Sequence, residues 1–386
     1  MKRYLVDTHV HLGATQRGEP IKIGAGRTLT LESVIARLPG RGVDVCAIVD
    51  LCTARGLAEL ERALAGGLLR EGPDGALVTE QGTAIIPALE AEARLPGAGP
   101  FHLLAYVPGL DGARALQAFY AAAVKNPNLS TQRLHASPDD LRTAAQAAGG
   151  FLAIAHAFTP HRGLFGVGLT IPDAFRNPEG LSLELGLSAD VEIARQVGAV
   201  GTASLVGGSD AHGPDTIGRE MNAVRGEAPG FTLLRALHAG KAETIYGMNP
   251  AFGKYHRTFC LVCEAPVDGP PPQLACPRDP RHRVVPGVLD RAKAMQRAVS
   301  RRHYPEYRYQ LPLGLLPGFG PAARRLIAEH FETEHRALHE ASEAALRAAL
   351  GAVRTDAILA MRRGALPATP GAGGRWGRFA VPHGPS

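Results

Sequence analysis

The sequence predicts an α/β protein whose first two thirds form a closed or nearly closed barrel of strands and crossover helices. Three observations predict it. Short β-like runs alternate with helical patterns up to about residue 250, ionisable residues recur where the apolar runs end, and the character of the chain changes after that point. Alternation of this kind argues for a parallel sheet with crossover helices. So many units over that length favour a barrel, which places its chemistry on the rim at the C-terminal ends of the strands.

The elements follow in order. "YLVDTHVHL" is succeeded by the amphipathic "TLESVIARL", "VDVCAIVDL" by "GLAELERALAGGLL", and then comes "TAIIPALEAEA". "FHLLAYVPG" leads into two helical stretches, "GARALQAFYAAAV" and "SPDDLRTAAQAA", and "FLAIAHAFT" follows. "LSLELGLSAD", "VEIARQV", "ASLVGGSDAHG" and "FTLLRALHAG" close the series. Residues 251–290 are rich in Pro, Cys and Arg. Residues 291–386 read as helices ("PGVLDRAKAMQRAV", "PAARRLIAEHFETEHRALHEASEAALRAALGAV") and a Gly/Pro-rich tail expected to be mobile.

Of 386 residues, 45% are hydrophobic and 20% charged, ordinary for a globular protein. The five cysteines, at 46, 52, 260, 263 and 276, do not form a disulfide framework, so a reduced, cytoplasmic setting is expected. The apolar run after Lys2 and Arg3 is broken at Asp7 and His9, which argues against a secretory signal, and no apolar stretch is long enough to span a membrane. Net charge is −3 over residues 1–250, +1 over 251–290 and +8 over 291–386. A basic last quarter suggests a polyanionic partner; an Arg-rich solvated face explains the charge equally well.

The stretch "VDTHVHLG", residues 6–13, puts His9 and His11 two apart at the end of the first apolar run. Residues i and i+2 of a strand share a face, and neutral imidazole is the commonest metal ligand. Further ionisable residues stand at later strand ends: Asp50, Glu90 (with Glu92 as a rival on the same face), His102, His156, Asp210 and His212. Singly, His102 and His156 read as core histidines. Together the set demands a metal or catalytic role, because buried strand ends do not collect so many ionisable groups otherwise. Such donors suit two or three divalent ions, and Zn, Mn and Mg or Fe are not separated by donor type alone. Ions so held activate water near neutral pH and clamp the oxygens of a phosphate ester.

The order HxH, E, H, H, DxH resembles the PHP (polymerase and histidinol phosphatase) superfamily of metal-dependent phosphoesterases, over residues 1–250. The resemblance implies an irregular (β/α)7 barrel of PHP type. It assigns His9, His11, Glu90 and Asp210 to one ion, Glu90, His102 and His156 to a second, and His212 to a third. It also assigns catalysis to His9, His11, Glu90, His156, Asp210 and His212. Thr15 and Gln16 stand where the superfamily has a further acid or histidine, and "DLCTA" (50–54) where it has a histidine, so Asp50 or Cys52 would have to complete the third site.

"LSTQRLHAS" (129–137), "GGFLAIAHAFTPHRGLFGVG" (149–168), "LELGLSAD" (183–190), "GGSDAHGPDTIGREMN" (207–222) and "YGMNPAFGKYHRTFCLVC" (246–263) together resemble the bacterial branch of the endonuclease Q family. This implies a DNA-repair enzyme that nicks 5′ to deaminated bases (uracil, hypoxanthine, xanthine) and at abasic sites. Cys260, Cys263 and Cys276 make three quarters of a zinc knuckle, completed by Asp279, the better spaced, or His282, the better zinc ligand. A metal-free remnant is the alternative. "LLPGFGPAARRLIAEHF" (315–331) resembles a helix-hairpin-helix turn, in which Gly318 and Gly320 let the backbone approach a phosphate met by Arg324 and Arg325. "RRHYPEYRYQLP" (301–312) interleaves Arg301 and Arg302 with Tyr304, Tyr307 and Tyr309, a mixture able to stack a flipped base. Gly163, Gly166 and Gly168 are expected to give the "TPHRGLFGVG" loop the freedom to read that base through backbone N–H donors. Two rival functions share the barrel: a phosphatase for a small phosphomonoester, and a lesion-DNA-binding protein with impaired catalysis. No motif identifies a sliding clamp as a partner.

Overall fold

The computed structural model describes residues 1–296, 303–316 and 318–379; Arg301 and Arg302 lie outside them. The strands β1 (Lys2–Val10), β2 (Val45–Ile48), β3 (Leu69–Glu71), β4 (Leu77–Thr79), β5 (Ala84–Arg94), β6 (Pro100–Tyr106), β7 (Phe151–Ile154), β8 (Ser182–Glu184), β9 (Ser204–Val206), β10 (Met221–Gly226) and β11 (Ala242–Gly247) lie in one curled sheet. Its path runs β11-β10-β1-β2-β5-β6-β7-β8-β9, with β3 and β4 appended to β5. The pairs β1/β2, β2/β5, β7/β8 and β8/β9 are parallel. The pairs β5/β6, β6/β7, β1/β10 and β10/β11 are antiparallel. The sheet is therefore a mixed, irregular, barrel-like curl. One reason is that β5 and β6 are joined by a short turn with no room for a crossover helix.

The curl brings the segment after β9 back to β1. His11 N donates to Ala211 O at 3.1 Å and Ala211 N to His9 O at 3.2 Å. The Asn222 amide bridges the same seam, donating to Gly207 O at 2.7 Å and Val6 O at 3.2 Å while accepting from Gly207 N at 2.8 Å.

Alternation decides which side chains reach the inside. Val45 and Ala47 of β2, Ala84, Ile86 and Ala88 of β5, and Ala153 of β7 pack in one inner cluster, sealed at one end by Phe231, Leu233, Leu234 and Leu237. Cys46, Ile48, Ile85, Leu152 and Ile154 face the other way, against the helices Leu31–Arg41, Ala54–Ala65, Gly109–Ala123 and Pro138–Ala147. The first helix shows its local causes: Thr30 caps it by accepting from Ser33 N, and Gly42 ends it at φ 80°.

Beyond the barrel, β12 (Phe259–Cys260), β13 (Ala265–Pro266) and β14 (Val284–Val285) form a small sheet that carries the late cysteines. Then β15 (Glu306–Tyr309) pairs in parallel with β11 at the edge of the barrel sheet. The helices Pro321–Phe331, Glu343–Leu350 and Ala352–Arg362 bury a separate cluster that includes Phe319, Ile327, Leu346, Ile358 and Met361. The tail expected to be mobile is docked up to residue 379. Ala368–Thr369 pairs with Arg378–Phe379, and Gly371 N donates to Ala251 O at 2.8 Å.

Candidate metal centre

The inner face of the strands turns ionisable at the end opposite the apolar seal. Glu90 continues the inward series Ala84, Ile86, Ala88, and Glu184 shares an inward parity with Ser182; His102 shares one with Leu104 and Tyr106. His9 and His11 need a further device. Val6 packs inward and Val10 outward although they are four apart, and the β1/β2 register shifts between Asp7 and Val10. This irregularity re-aims His9 and His11 into the barrel. Two more residues are turned in by the backbone itself: His156 has φ 27° and Asp210 φ 44°. Such non-glycine conformations cost energy and cluster at functional sites.

His9 and His11 are fully buried with their Nε2 atoms 3.2 Å apart. The Nδ1 of His9 lies 3.0 Å from Glu184 Oε2, and that of His11 lies 3.1 Å from both Asp50 oxygens. Each Nδ1–H donates to its carboxylate, so both Nε2 lone pairs aim at one point. Two lone pairs at this separation repel unless a cation lies between them. Buried acids backing ligating histidines are the usual arrangement behind a metal ion. The other donors are spaced to match. From His9 Nε2 it is 3.7 Å to Glu90 Oε1 and 3.6 Å to Asp210 Oδ1, and from His11 Nε2 it is 3.5 Å to Glu90 Oε2 and 3.4 Å to Asp210 Oδ1. Two ligands about 2.1 Å from a tetrahedral ion stand about 3.4 Å apart. The residues fit a divalent ion.

Glu90 is shared with a second group. Its Oε1 is 2.8 Å from His102 Nδ1 and 3.4 Å from His156 Nε2, and those two nitrogens are 3.3 Å apart. His11, Asp210 and His212 make a third group, with His212 Nδ1 3.4 Å from Asp210 Oδ1. Asp50 stands behind His11, accepting also from Leu12 N at 2.6 Å and from Ser130 Oγ, so its oxygens are engaged away from the donor groups. Cys52 is buried, and burial holds its thiol well above the usual range. Glu92 is paired with Arg162, which leaves Glu90 as the acid of the site.

Charge balance points the same way. Burial alone would lower the His9 pKa, yet Glu184, Asp210 and Glu90 raise it to about 10. Surplus negative charge thus asks for a cation, and a proton takes that place without an ion. Burial lowers His102 to about 4, and burial with the neighbouring His11 lowers His212 to about 4, so both are neutral and ready to coordinate at pH 7.

Sequence reasoning missed three residues here. Lys22 Nζ donates to Glu90 Oε2 at 2.7 Å, Glu184 orients His9, and Arg219 donates to Ser209 O at 2.6 Å and Asp210 O at 3.0 Å. Glu184 bore the signal used for the others, a carboxylate at the end of an apolar run; Lys22 lies in a loop with no such pattern. All three border a cleft of about 570 Å³, together with Glu90, His102, His156, Asp210 and His212.

At the late cysteines, donor atoms of Cys260, Cys263, Cys276 and His282 lie within 4.8 Å of one another. Cys263 Sγ is 3.7 Å from Cys276 Sγ and 3.4 Å from His282 Nδ1, and Cys260 Sγ is 3.7 Å from His282 Nδ1. Sulfurs about 2.3 Å from a tetrahedral zinc stand about 3.8 Å apart, so this set fits zinc. Asp279 pairs with Arg281 at 2.8 Å instead. Backbone N–H groups of Asp279 and Arg278 bring the Cys276 thiol down to about 6, toward thiolate.

The expected DNA contacts divide. Gly320 caps the helix Pro321–Phe331 with open space around its α-carbon, and Gly318 takes φ 82° while its carbonyl accepts from Arg354. Arg325 is exposed, whereas Arg324 pairs with Asp215 at 2.9 Å. Tyr304 packs partly buried against the barrel core. Tyr307, expected to stack a base, is half-buried. It lies in β15 with its hydroxyl donating to Met248 O at 2.9 Å, because "EYRY" alternates as a half-buried edge strand. Gly163 and Gly166 are not sources of freedom: a β-carbon on them would sit 2.5 Å and 1.6 Å from Thr159 O, so they serve a tight loop.

No family model matches the chain. It is 31% identical to YqxK of Bacillus subtilis (strain 168), over 98% of this chain and 100% of that protein. The fold matches the lesion-specific endonuclease EndoQ of Pyrococcus furiosus with TM-score 0.83 at 23% identity, over 99% of this chain and 96% of that one. It matches an endonuclease Q in complex with a 27-mer duplex carrying an abasic lesion equally well, at TM-score 0.83 and 23% identity, over 99% and 97% of the two chains. Among the described residues, no helix is long and apolar enough to cross a membrane. The chain belongs to the family of YqxK, and its fold is that of endonuclease Q.

Proposed function

We propose that this protein is a metal-dependent DNA endonuclease that hydrolyses the phosphodiester 5′ to a deaminated base or an abasic site. The observation that carries the reading is the pair of opposed histidine Nε2 atoms, 3.2 Å apart, each backed by a buried acid and each within 3.7 Å of Glu90 and Asp210, which line the cleft. The fold shared with an endonuclease Q bound to abasic duplex supports DNA as the substrate class.

His9, His11, Glu90 and Asp210 would hold one divalent ion; Glu90, His102 and His156 a second; His212 with His11 and Asp210 a third. Such ions supply Lewis acidity that activates water and offsets charge on the attacking and leaving oxygens. Glu184 and Asp50 keep the two histidines in the tautomer that presents Nε2. Lys22 sets a fixed positive charge beside Glu90, where an anionic phosphate enters. Arg219, anchored on two carbonyls, holds the Asp210 turn in place. Cys260, Cys263, Cys276 and His282 would hold a structural zinc that keeps the three-stranded sheet folded. Deaminated and missing bases pair poorly, so turning that nucleotide out of the duplex costs less than for a normal one.

The test is cleavage of end-labelled duplexes carrying uracil, hypoxanthine or an abasic site, with and without chelator. A nick on the 5′ side of the lesion that disappears with chelator is expected. Hydrolysis of small phosphomonoesters with no nicking would overturn the reading in favour of a phosphatase. Binding of lesion DNA without cleavage in Mn²⁺, Mg²⁺ and Zn²⁺ would overturn it in favour of a binding protein.

A further inference from the structure

We propose that the indole of Trp376 is the platform on which the extruded nucleobase stacks, so that the C-terminal hairpin sets selectivity for lesions that retain a base. This rests on the endonuclease reading above.

Trp376 is the single tryptophan of the chain and is 39% exposed, unusual for its largest apolar side chain. It lines the same cleft as His102, His156, Asp210 and His212, so a nucleotide whose phosphate meets those residues presents its base to this wall. Two cations hold the ring. Lys254 Nζ lies 4.9 Å and Arg219 Cζ 5.8 Å from its centroid. Because Arg219 also binds the Asp210 carbonyl at 3.0 Å, the indole is tied through one side chain to the turn that bears a metal-site carboxylate.

The hairpin is docked rather than loose. Gly374 N donates to Lys254 O at 3.1 Å, Gly377 N to Phe252 O at 3.0 Å, and Arg257 N to Gly371 O at 3.2 Å. A β-carbon at Gly371 would lie 2.2 Å from Gly253 O, and one at Gly373 would lie 2.6 Å from the Phe259 ring. The glycines therefore permit a close approach that places Trp376. Arg375 and Arg378 beside it are exposed, as suits phosphates flanking an extruded nucleotide. The cleft is also lined by His161 and Tyr255, whose rings meet edge to face at 5.2 Å. An aromatic face accepts any base, and its loss costs stacking without changing hydrogen-bond readout.

Two measurements test this. With the metal-loaded protein and duplexes made uncleavable by a non-hydrolysable linkage 5′ to the lesion, uracil duplex should quench the Trp376 fluorescence more than abasic duplex of the same length, since only the former offers a base to stack. Trp376→Ala should lower kcat/KM on uracil duplex by about 5- to 150-fold, and on abasic duplex by clearly less. Trp376→Phe should recover most of the loss, with Tm confirming that both variants fold. Equal quenching by the two duplexes, or an unchanged uracil-to-abasic ratio in Trp376→Ala, would overturn the proposal. Failure of the unaltered protein to nick either duplex would instead overturn the endonuclease reading, and the fluorescence comparison would still decide the role of Trp376.

Discussion

Glu184→Gln isolates the least expected part of the centre. Glu184 accepts from His9 Nδ1 at 3.0 Å and from His156 N at 2.9 Å, and a β-carbon at Gly208 would lie 1.7 Å from its Oε1. The glutamine has the same length and can still accept one of these bonds, so the packing survives and only the charge is lost. A charge-assisted bond contributes about 1.5–3 kcal/mol and a neutral one about half as much. The difference, with a His9 that now presents its Nε2 less firmly, predicts a metal affinity about 10- to 100-fold weaker. One effect opposes this. The acids hold His9 at about 10, so its proton competes with the ion at neutral pH, and removing Glu184 weakens that competition. The comparison belongs across a pH series from 7 to about 10.5, with proton competition at His9 fitted out, by competition of Zn²⁺ or Mn²⁺ against a chromophoric chelator and with circular dichroism as the check on folding. An affinity within twofold of the unaltered protein would refute the role given to Glu184.

Other expectations follow from single contacts. His282→Ala should lose the zinc of the three-stranded sheet and lower Tm, whereas Asp279→Ala should keep the zinc, both read by thiol-reactive metal release and calorimetry; the reverse order would undo the Cys3His assignment. Glu220 is buried and burial raises its pKa to about 8, above the 4.5 of an ordinary glutamate. The folded state then resists ionisation that the unfolded chain accepts, so the penalty is absent below about pH 4.5, grows by roughly 1.4 kcal/mol per unit and levels off above about pH 8. Glu220→Gln should accordingly raise stability at pH 8 to 9 and not near pH 4.5, by denaturant titration; equal effects at both would contradict it. Tyr307→Phe, which loses the bond to Met248 O, should cost about 1 kcal/mol of stability and leave DNA affinity unchanged. A large loss of DNA affinity would instead support the stacking role expected of that tyrosine.

The barrel and its donors were legible because both leave periodic marks. Ionisable residues that end apolar runs, such as Glu90 and His156, stand out against burial, and the structure brings both to one rim. What the pattern hid is irregular. The inward turn of His9 and His11 depends on a register shift that no residue type signals, and Asp50 could be placed at the rim but not behind His11. Lys22 and Arg219 reach the site from loops, where spacing carries no information. Tyr307 was ambiguous in the sequence because interleaved Arg and Tyr suit either a nucleic-acid surface or an alternating edge strand, and the structure places it in β15, paired with β11. Glycine runs were similarly ambiguous. In the 371–377 hairpin they allow close docking, as Gly163 and Gly166 do in theirs, although composition alone suggests mobility.

The central claim is that acids and imidazoles far apart in the chain jointly grip ions at the barrel rim, and a metal count tests it most directly. Elemental analysis of the purified protein should find at least two divalent ions beyond one zinc held by Cys260, Cys263, Cys276 and His282. The double variant His9→Ala, His11→Ala should lose barrel ions and keep that zinc. A protein that carries no ion beyond the zinc, or a double variant that loses none, would contradict the account.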